Sequence, residues 1–256
     1  MLVVDLILIG CCGKMGAAVQ AAVSTLEGCR IAAGVDPRGG AADFPVYESL
    51  SQVQETADAI IDFSHPSALE GILSYCREHP GTAAVLCTTG YSQEQVQAIE
   101  AASASLPLFY SRNMSLGVNL LLELAKKAAA VLGGFDIEIV EAHHNQKIDA
   151  PSGTALMLAD AVNEARDNAL KYTYDRHSQR KKREKNELGL HSIRGGTIVG
   201  EHQVIFAGMH ETLTLSHSAY SKELFASGAV NAALFMKGRG PGLYSMKDMV
   251  EGEPSV

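Results

Sequence analysis

Residues 141–154 read Glu-Ala-His-His-Asn-Gln-Lys-Ile-Asp-Ala-Pro-Ser-Gly-Thr, and this segment carries the chemistry of the chain. The adjacent imidazoles of His143 and His144 and the amine of Lys147 can supply protons near neutral pH. An amphipathic stretch begins at Ser152, so the amides of Gly153 and Thr154 and the threonine hydroxyl would stand at a helix N-terminus able to bind a carboxylate. Three readings of the histidines compete. A metal centre would use them with Glu141 or Glu138, but neighbours on a strand point to opposite faces and no His-x-x-x-His spacing accompanies them. A structural role beneath the helix suits a lone histidine better than a pair beside Lys147. An acid/base and anion-binding site is the favoured reading.

A second constellation lies near the start. An apolar run ending at Ile9 meets Gly10-Cys11-Cys12-Gly13-Lys14-Met15-Gly16 and then the small residues of 17–26. That order is strand, tight turn, helix. Glycines let the backbone approach a pyrophosphate, and the helix N-terminus offers it N–H groups. The spacing is Gly-x-x-Gly-x-x-Gly, which alone fits a plain glycine turn as well as a dinucleotide site. Asp36 closes the next apolar run, twenty residues beyond Gly16, where a carboxylate could accept ribose hydroxyls. Asp36 favours NADH, whereas Arg38 could pair with the extra phosphate of NADPH.

The elements that must position these groups alternate. Strands are expected over 57–63, 82–86 and 107–110, with helices over 66–79 and 92–105. Such repetition implies an α/β fold, a Rossmann-type parallel sheet covered on both faces. The carboxyl ends of its strands carry Asp62-Phe63-Ser64-His65, Cys87-Thr88-Thr89-Gly90 and Ser111-Arg112-Asn113-Met114, residues suited to a cofactor rim. Beyond Asn113 the pattern predicts a helix over 116–132, a strand over 135–142 and a helix over 152–166. Residues 170–192 read as a long loop that could act as a lid. Antiparallel strands are expected over 197–200, 202–207 and 211–217, then a helix over 224–236 and a turn-rich tail. The expected division is a dinucleotide-binding domain of 1–113 with 223–256, and an α+β substrate and oligomerisation domain of 114–222 with a mixed or antiparallel sheet.

Composition limits the function classes. Hydrophobic residues make up 46% and charged ones 20%, a globular mix. The net charge of −8 argues against a nucleic-acid binder relying on overall charge. Residues 171–187 carry a local +4, leaving −12 elsewhere, and this basic segment could steer anionic ligands at low salt. No apolar run nears the roughly 18 residues of a membrane span, and the N-terminal run reads as a buried strand rather than a signal peptide. The five cysteines lack metal-ligand spacing and read as reduced thiols, as expected in the cytoplasm.

Glu141-Ala142-His143-His144, Lys147 and Asp149-Ala150-Pro151-Ser152-Gly153-Thr154-Ala155 resemble the most specific segment of the 4-hydroxy-tetrahydrodipicolinate reductase (dihydrodipicolinate reductase) family. Gly10 to Gly16, Ile61 to Ser64, Thr88-Thr89-Gly90, residues 113–119 and residues 194–202 match it too, so the similarity runs almost end to end. The resemblance implies hydride transfer from NADH or NADPH to a small cyclic dicarboxylate, with loss of water, in the diaminopimelate route to lysine. It further implies His143 as acid/base residue and Lys147 as proton donor, with His144, Gly153 and Thr154 on a substrate carboxylate. Gly10, Cys11, Cys12, Gly13, Lys14, Met15, Asp36, Cys87, Thr88, Thr89, Ser111, Arg112, Asn113 and Met114 would line the cofactor. It also implies a homotetramer built through the central sheet; the charge, spacing and run lengths above lead us to expect no metal, nucleic-acid or membrane partner. Cys87 stands where the family commonly has glycine, Met114 where phenylalanine is frequent and His65 where an arginine can assist NADPH, which leaves cofactor preference open. A non-catalytic dinucleotide sensor and a metal-dependent hydrolase are the competing functions.

Overall fold

The computed structural model describes residues 3–252. Its described residues form two compact units, the first running up to Ser115 and resuming at Glu223, the second spanning Leu116–Lys222. In the first, the strands β1 (Val4–Ile9), β2 (Cys29–Val35), β3 (Val46–Tyr47), β4 (Ala59–Asp62), β5 (Ala83–Leu86) and β6 (Pro107–Tyr110) alternate with helices α1 (Lys14–Thr25), α2 (Leu69–Glu78) and α3 (Gln93–Ala102).

The second unit comprises α4 (Leu116–Val131), β7 (Asp136–His143), α5 (Gly153–Glu164), β8 (Lys171–Thr173), β9 (Glu187–Arg194), β10 (Gly200–Ala207) and β11 (Thr212–Ala219). The chain then returns to the first unit through α6 (Glu223–Met236), β12 (Gly242–Tyr244) and α7 (Met246–Glu251).

Sheet order in the first unit is β12-β6-β5-β4-β1-β2-β3, with every pairing parallel. Both faces are buried, so β1 is an unbroken apolar run apart from Asp5. Its residues divide by alternation. Val4, Leu6 and Leu8 pack with α1 and α6, while Ile7 and Ile9 pack with α2 and α3. The glycine turn thus leaves the carboxyl end of a central strand, the place where such sheets bind ligands.

The sheet of the second unit, ordered β11-β10-β7-β9-β8, is mixed. β7 pairs in parallel with β9 and antiparallel with β10. Its apolar face, including Ile137, Ile139, Leu188, Leu190, Val204 and Phe206, packs on α4 and α5.

Several expectations are corrected. Residues 170–192 are not one loop: β8 and most of β9 lie there, because polar residues on both faces of β9 hide a strand whose partner β7 lies some fifty residues away. Residues 197–199 form no strand, and β10 begins at Gly200. The tail contributes β12, which extends the parallel sheet beside β6, and α7. The first helix begins at Lys14, three residues before the expected Ala17.

Candidate active site

In the first unit, the glycine turn is built by close backbone approach. Gly10 adopts φ +78°, and a Cβ there would stand 2.4 Å from the Phe63 carbonyl oxygen. A Cβ on Gly16 would stand 2.3 Å from the Gly10 oxygen. Gly13 is the N-cap of α1 and supplies no side chain to its amides, which suits an incoming anion. Asp36, 2% exposed, accepts the Cys12 amide at 3.2 Å, the Arg38 amide at 3.1 Å, and Arg38 Nε and Nη2 at 3.0 Å each. The guanidinium hydrogen bonds outweigh burial and hold its carboxyl below the usual range. Thus the carboxylate expected at the ribose is already engaged by the cation expected at the phosphate.

Two cavities flank the turn within this unit. One, of about 480 Å³, is lined by Gly10, Gly13, Asp36, Arg38 and His65 among others. The other, of about 370 Å³, is lined by Met15, Cys87, Thr88, Thr89, Ser111, Arg112, Asn113 and Met114 together with Phe63, Ser64 and Phe225. Cys11 and Cys12 belong to the turn itself, and Lys14 is the first residue of α1. Thr88 Oγ1 accepts the Ser64 amide at 2.9 Å, which braces two of the rim loops against each other, and Ser111 Oγ donates to the Asn113 carbonyl at 3.1 Å within the third. A cradle a side chain would fill, uncapped helix amides and two adjoining cavities fit a dinucleotide.

In the second unit, His143 ends β7 and Glu141 lies two residues earlier on the same strand face. The register sets Ser192 of β9 and His202 of β10 on either side of Glu141, and Arg194 beside His143. Glu141 is 1% exposed and is surrounded by hydrogen-bond donors. They include His143 Nδ1 at 2.6 Å, Arg194 Nη1 and Nη2 at 2.8 and 2.7 Å, and the Ser152 amide at 3.2 Å. Burial alone would raise its carboxyl, but hydrogen bonds from Arg194, Ser192 and His143 outweigh it and bring it down to about 2. An ionised Glu141 has only acceptors, so His143 carries its proton on Nδ1 and presents Nε2 for exchange. Gly200 leaves room there, since a Cβ on it would stand 3.1 Å from His143 Nε2.

Ser152 caps α5, accepting the Ala155 amide at 3.2 Å, and its hydroxyl lies 3.0 Å from His202 Nε2. Burial and neighbouring His143 push His202 down to about 4, which keeps it neutral at pH 7. Its ring meets that of His143 edge-on at 5.2 Å. Gly153 and Thr154 open the helix, with empty space where a Gly153 side chain would be. Lys147 Nζ lies 2.8 Å from Asp149 Oδ1, and the Asp149 carbonyl accepts Arg194 Nη2 at 2.6 Å. Arg194 therefore ties the loop bearing Lys147 to the carboxylate that holds His143. His144 is half-buried, its carbonyl accepting the Lys147 amide at 3.1 Å. Among the described residues no group of three or more His, Cys, Asp or Glu could hold a metal ion.

Sequence reasoning gave Glu141 only as a metal ligand and gave Arg194, His202 and Asp149 no role. The Glu-x-His spacing on one strand carried a local signal for the first. No local pattern could join Arg194 or His202 to this cluster. The basic segment is partly pinned to the sheet. Arg183 donates to Asp136 at 2.8 Å, Glu138 at 3.0 Å and the Ile137 carbonyl at 3.2 Å, while Arg176 pairs with Glu187 at 2.7 Å. Part of its positive charge therefore fastens the segment to β7 and β9.

Comparison with known proteins places this geometry in a family. A family model described as dihydrodipicolinate reductase, N-terminus, matches residues 4–114, and one described as dihydrodipicolinate reductase, C-terminus, matches residues 117–250. The 4-hydroxy-tetrahydrodipicolinate reductase of Caldanaerobacter subterraneus subsp. tengcongensis is 49% identical over 250 residues, covering 98% of this chain and 99% of that protein. The protein of the same name from Clostridium novyi is 45% identical over 249 residues, covering 96% and 98%. A solved structure, dipicolinate-bound dihydrodipicolinate reductase from Paenisporosarcina sp. TG-14, superposes with a TM-score of 0.78 at 26% identity, covering 95% of this chain and 98% of that one. With both halves of the chain matched and a relative of this similarity aligned almost end to end, the protein belongs to the dihydrodipicolinate reductase family.

Proposed function

We propose that the protein reduces 4-hydroxy-tetrahydrodipicolinate to tetrahydrodipicolinate with NADH or NADPH, releasing water, in the diaminopimelate route to lysine. The observation that carries this reading is the Arg194–Glu141–His143 chain beside the N-terminus of α5. It joins a proton-exchanging nitrogen to a carboxylate-binding helix end, as a dicarboxylate losing a hydroxyl requires. The Paenisporosarcina relative binds dipicolinate, which supports a small dicarboxylate as substrate.

When bound, the reduced nicotinamide supplies the hydride for C4. The residues of the second unit supply the rest. His144 and the amides of Gly153 and Thr154 hold a substrate carboxylate at the positive end of the α5 dipole. His143 acts as acid/base through Nε2, with Glu141 fixing its tautomer and stabilising the imidazolium. Lys147 donates from Nζ, and one proton drawn from this pair leaves with the 4-hydroxyl as water. In the first unit, Gly10, Gly13 and the α1 amides hold the pyrophosphate, and Asp36 with Arg38 meets the ribose or its phosphate.

The test is NADH and NADPH oxidation in an assay coupled to freshly generated substrate. Consumption of neither cofactor defeats the reading. His143→Gln and Lys147→Ala should each lower kcat by at least about 100-fold, with NADH binding nearly unchanged.

We further propose a cytoplasmic homotetramer. Supporting it, Val140, Ile193 and Ile205 lie on the sheet face of the second unit opposite α4 and α5, and Ile193 is 52% exposed. Light scattering that returned the monomer mass would reject this assembly. No described helix is long and apolar enough to cross a membrane.

A further inference from the structure

Two consecutive residues of the glycine turn carry thiols to which the reductase reading assigns no chemistry, although their backbone lies in the turn that would hold the cofactor. Cys11 and Cys12 follow Gly10, and their sulfurs lie 3.7 Å apart. They differ in access: Cys11 is 1% exposed and Cys12 is exposed. Burial, reinforced by Cys12, pushes the Cys11 thiol up to about 12. A dissolved oxidant therefore meets Cys12 first. The other three cysteines are buried.

The peptide joining the pair is held from both sides. The Cys11 carbonyl accepts Gln20 Nε2 at 2.9 Å, and the Cys12 amide donates to Asp36 Oδ2 at 3.2 Å. Cys12 Sγ also packs over Gly40, where an added Cβ would stand 2.3 Å from it. The thiols thus sit between the turn and the segment that begins with Asp36.

We propose that the Cys11–Cys12 pair is a modification site for hydroperoxides, at which disulfide formation abolishes tight dinucleotide binding. The proposal rests on the reading that this turn holds the cofactor. In the first step Cys12 Sγ attacks the peroxide, the O–O bond breaks, and the thiol proton leaves with the departing oxygen as water or an alcohol. Cys12 becomes a sulfenic acid. Cys11 Sγ then attacks the Cys12 sulfur, the S–O bond breaks, and the Cys11 proton leaves in a water molecule. Two thiols are oxidised by two electrons and one peroxide is reduced.

Bonding adjacent sulfurs closes a small ring through the joining peptide, whose planarity resists the closure. The peptide must reorient, and its hydrogen bonds to Gln20 and Asp36 cannot both survive. The turn amides and the Asp36 carboxylate then lose the mutual placement a dinucleotide needs. By linkage, bound dinucleotide disfavours the disulfide by the same factor.

The experiment treats the full chain with hydrogen peroxide and follows NADH affinity by fluorescence titration alongside peptide mass mapping. The expected result is loss of two hydrogens from the peptide spanning Cys11 and Cys12. NADH Kd should rise at least about tenfold, dithiothreitol should reverse both changes, and NADH added first should slow them. Cys11→Ser should stop at a dimedone-trappable sulfenic acid on Cys12, and Cys12→Ser should keep its own NADH Kd after peroxide. A disulfide with unchanged Kd, equal weakening in Cys12→Ser, or oxidation confined to other cysteines would overturn the proposal. Failure of the reduced protein to bind either NADH or NADPH would overturn the cofactor reading and this proposal together, and it would show before any oxidant is added.

Discussion

Glu141→Gln separates positioning from packing at the centre of the proposed site. Glutamine keeps the shape and one carbonyl oxygen, but its NH₂ group turns donors toward donors, facing Arg194 in either orientation together with His143 or the Ser152 amide. The stability loss follows from the carboxyl itself. It lies at about 2 in the fold against an ordinary 4.5. A gap of about 2.5 pH units at about 1.4 kcal/mol per unit is about 3 kcal/mol at neutral pH. Because the folded value is depressed, this stability is fully present above pH 4.5 and is lost as pH falls through 4.5 toward 2. The variant should therefore be about 3 kcal/mol less stable at pH 7 in urea denaturation, and its deficit should shrink across that acid window. Activity should fall further than stability alone explains. With His143 free to turn or change tautomer, kcat should drop by about 100-fold or more while KM for NADH moves little. A destabilised variant that kept kcat within about threefold would show Glu141 to be structural only. An unchanged acid slope would refute the ionisation argument.

Other outcomes follow from the same contacts. Arg38→Ala removes both guanidinium bonds from Asp36 and the cation available to a 2′-phosphate; KM for NADPH should rise at least about tenfold with that for NADH unchanged or lower, and equal changes would reject the assignment. Arg183→Ala should lower stability by about 1–3 kcal/mol in chemical denaturation, since its bonds to Asp136, Glu138 and the Ile137 carbonyl are lost together. Arg180→Ala should change it by less than about 0.5 kcal/mol. A salt-dependent loss of substrate capture on replacing Arg180 and Lys182 would restore the steering role of this segment.

Much of the fold was legible because its signals are local. Gly10 and Gly16 mark a turn that only glycine can make, since backbone oxygens stand where side chains would be. The apolar runs of β1, β4 and β5 are buried on both faces and announce a parallel sheet. Where polar residues fall on both faces of a strand, the signal failed. Residues 187–194 hold Glu187, His191, Ser192 and Arg194, so the segment reads as loop until β7 pairs with it. β12 has three residues and exists as a strand through its pairing with β6.

The candidate site divides the same way. Residue order along the chain settled that His143, Lys147 and the α5 N-terminus are close, because strand, loop and helix follow one another within 143–154. It also settled that Glu141 and His143 share a strand face. The partners that give these groups their chemistry come from strand register. Arg194 stands 53 residues from Glu141 in the chain, and His202 stands 50 from Ser152, yet the pairing of β9 and β10 with β7 brings both into hydrogen bonds. A carboxylate can remain charged while 1% exposed only if a guanidinium and several N–H groups surround it. Local sequence supplies the residues for that arrangement, but long-range sheet pairing decides which of them meet.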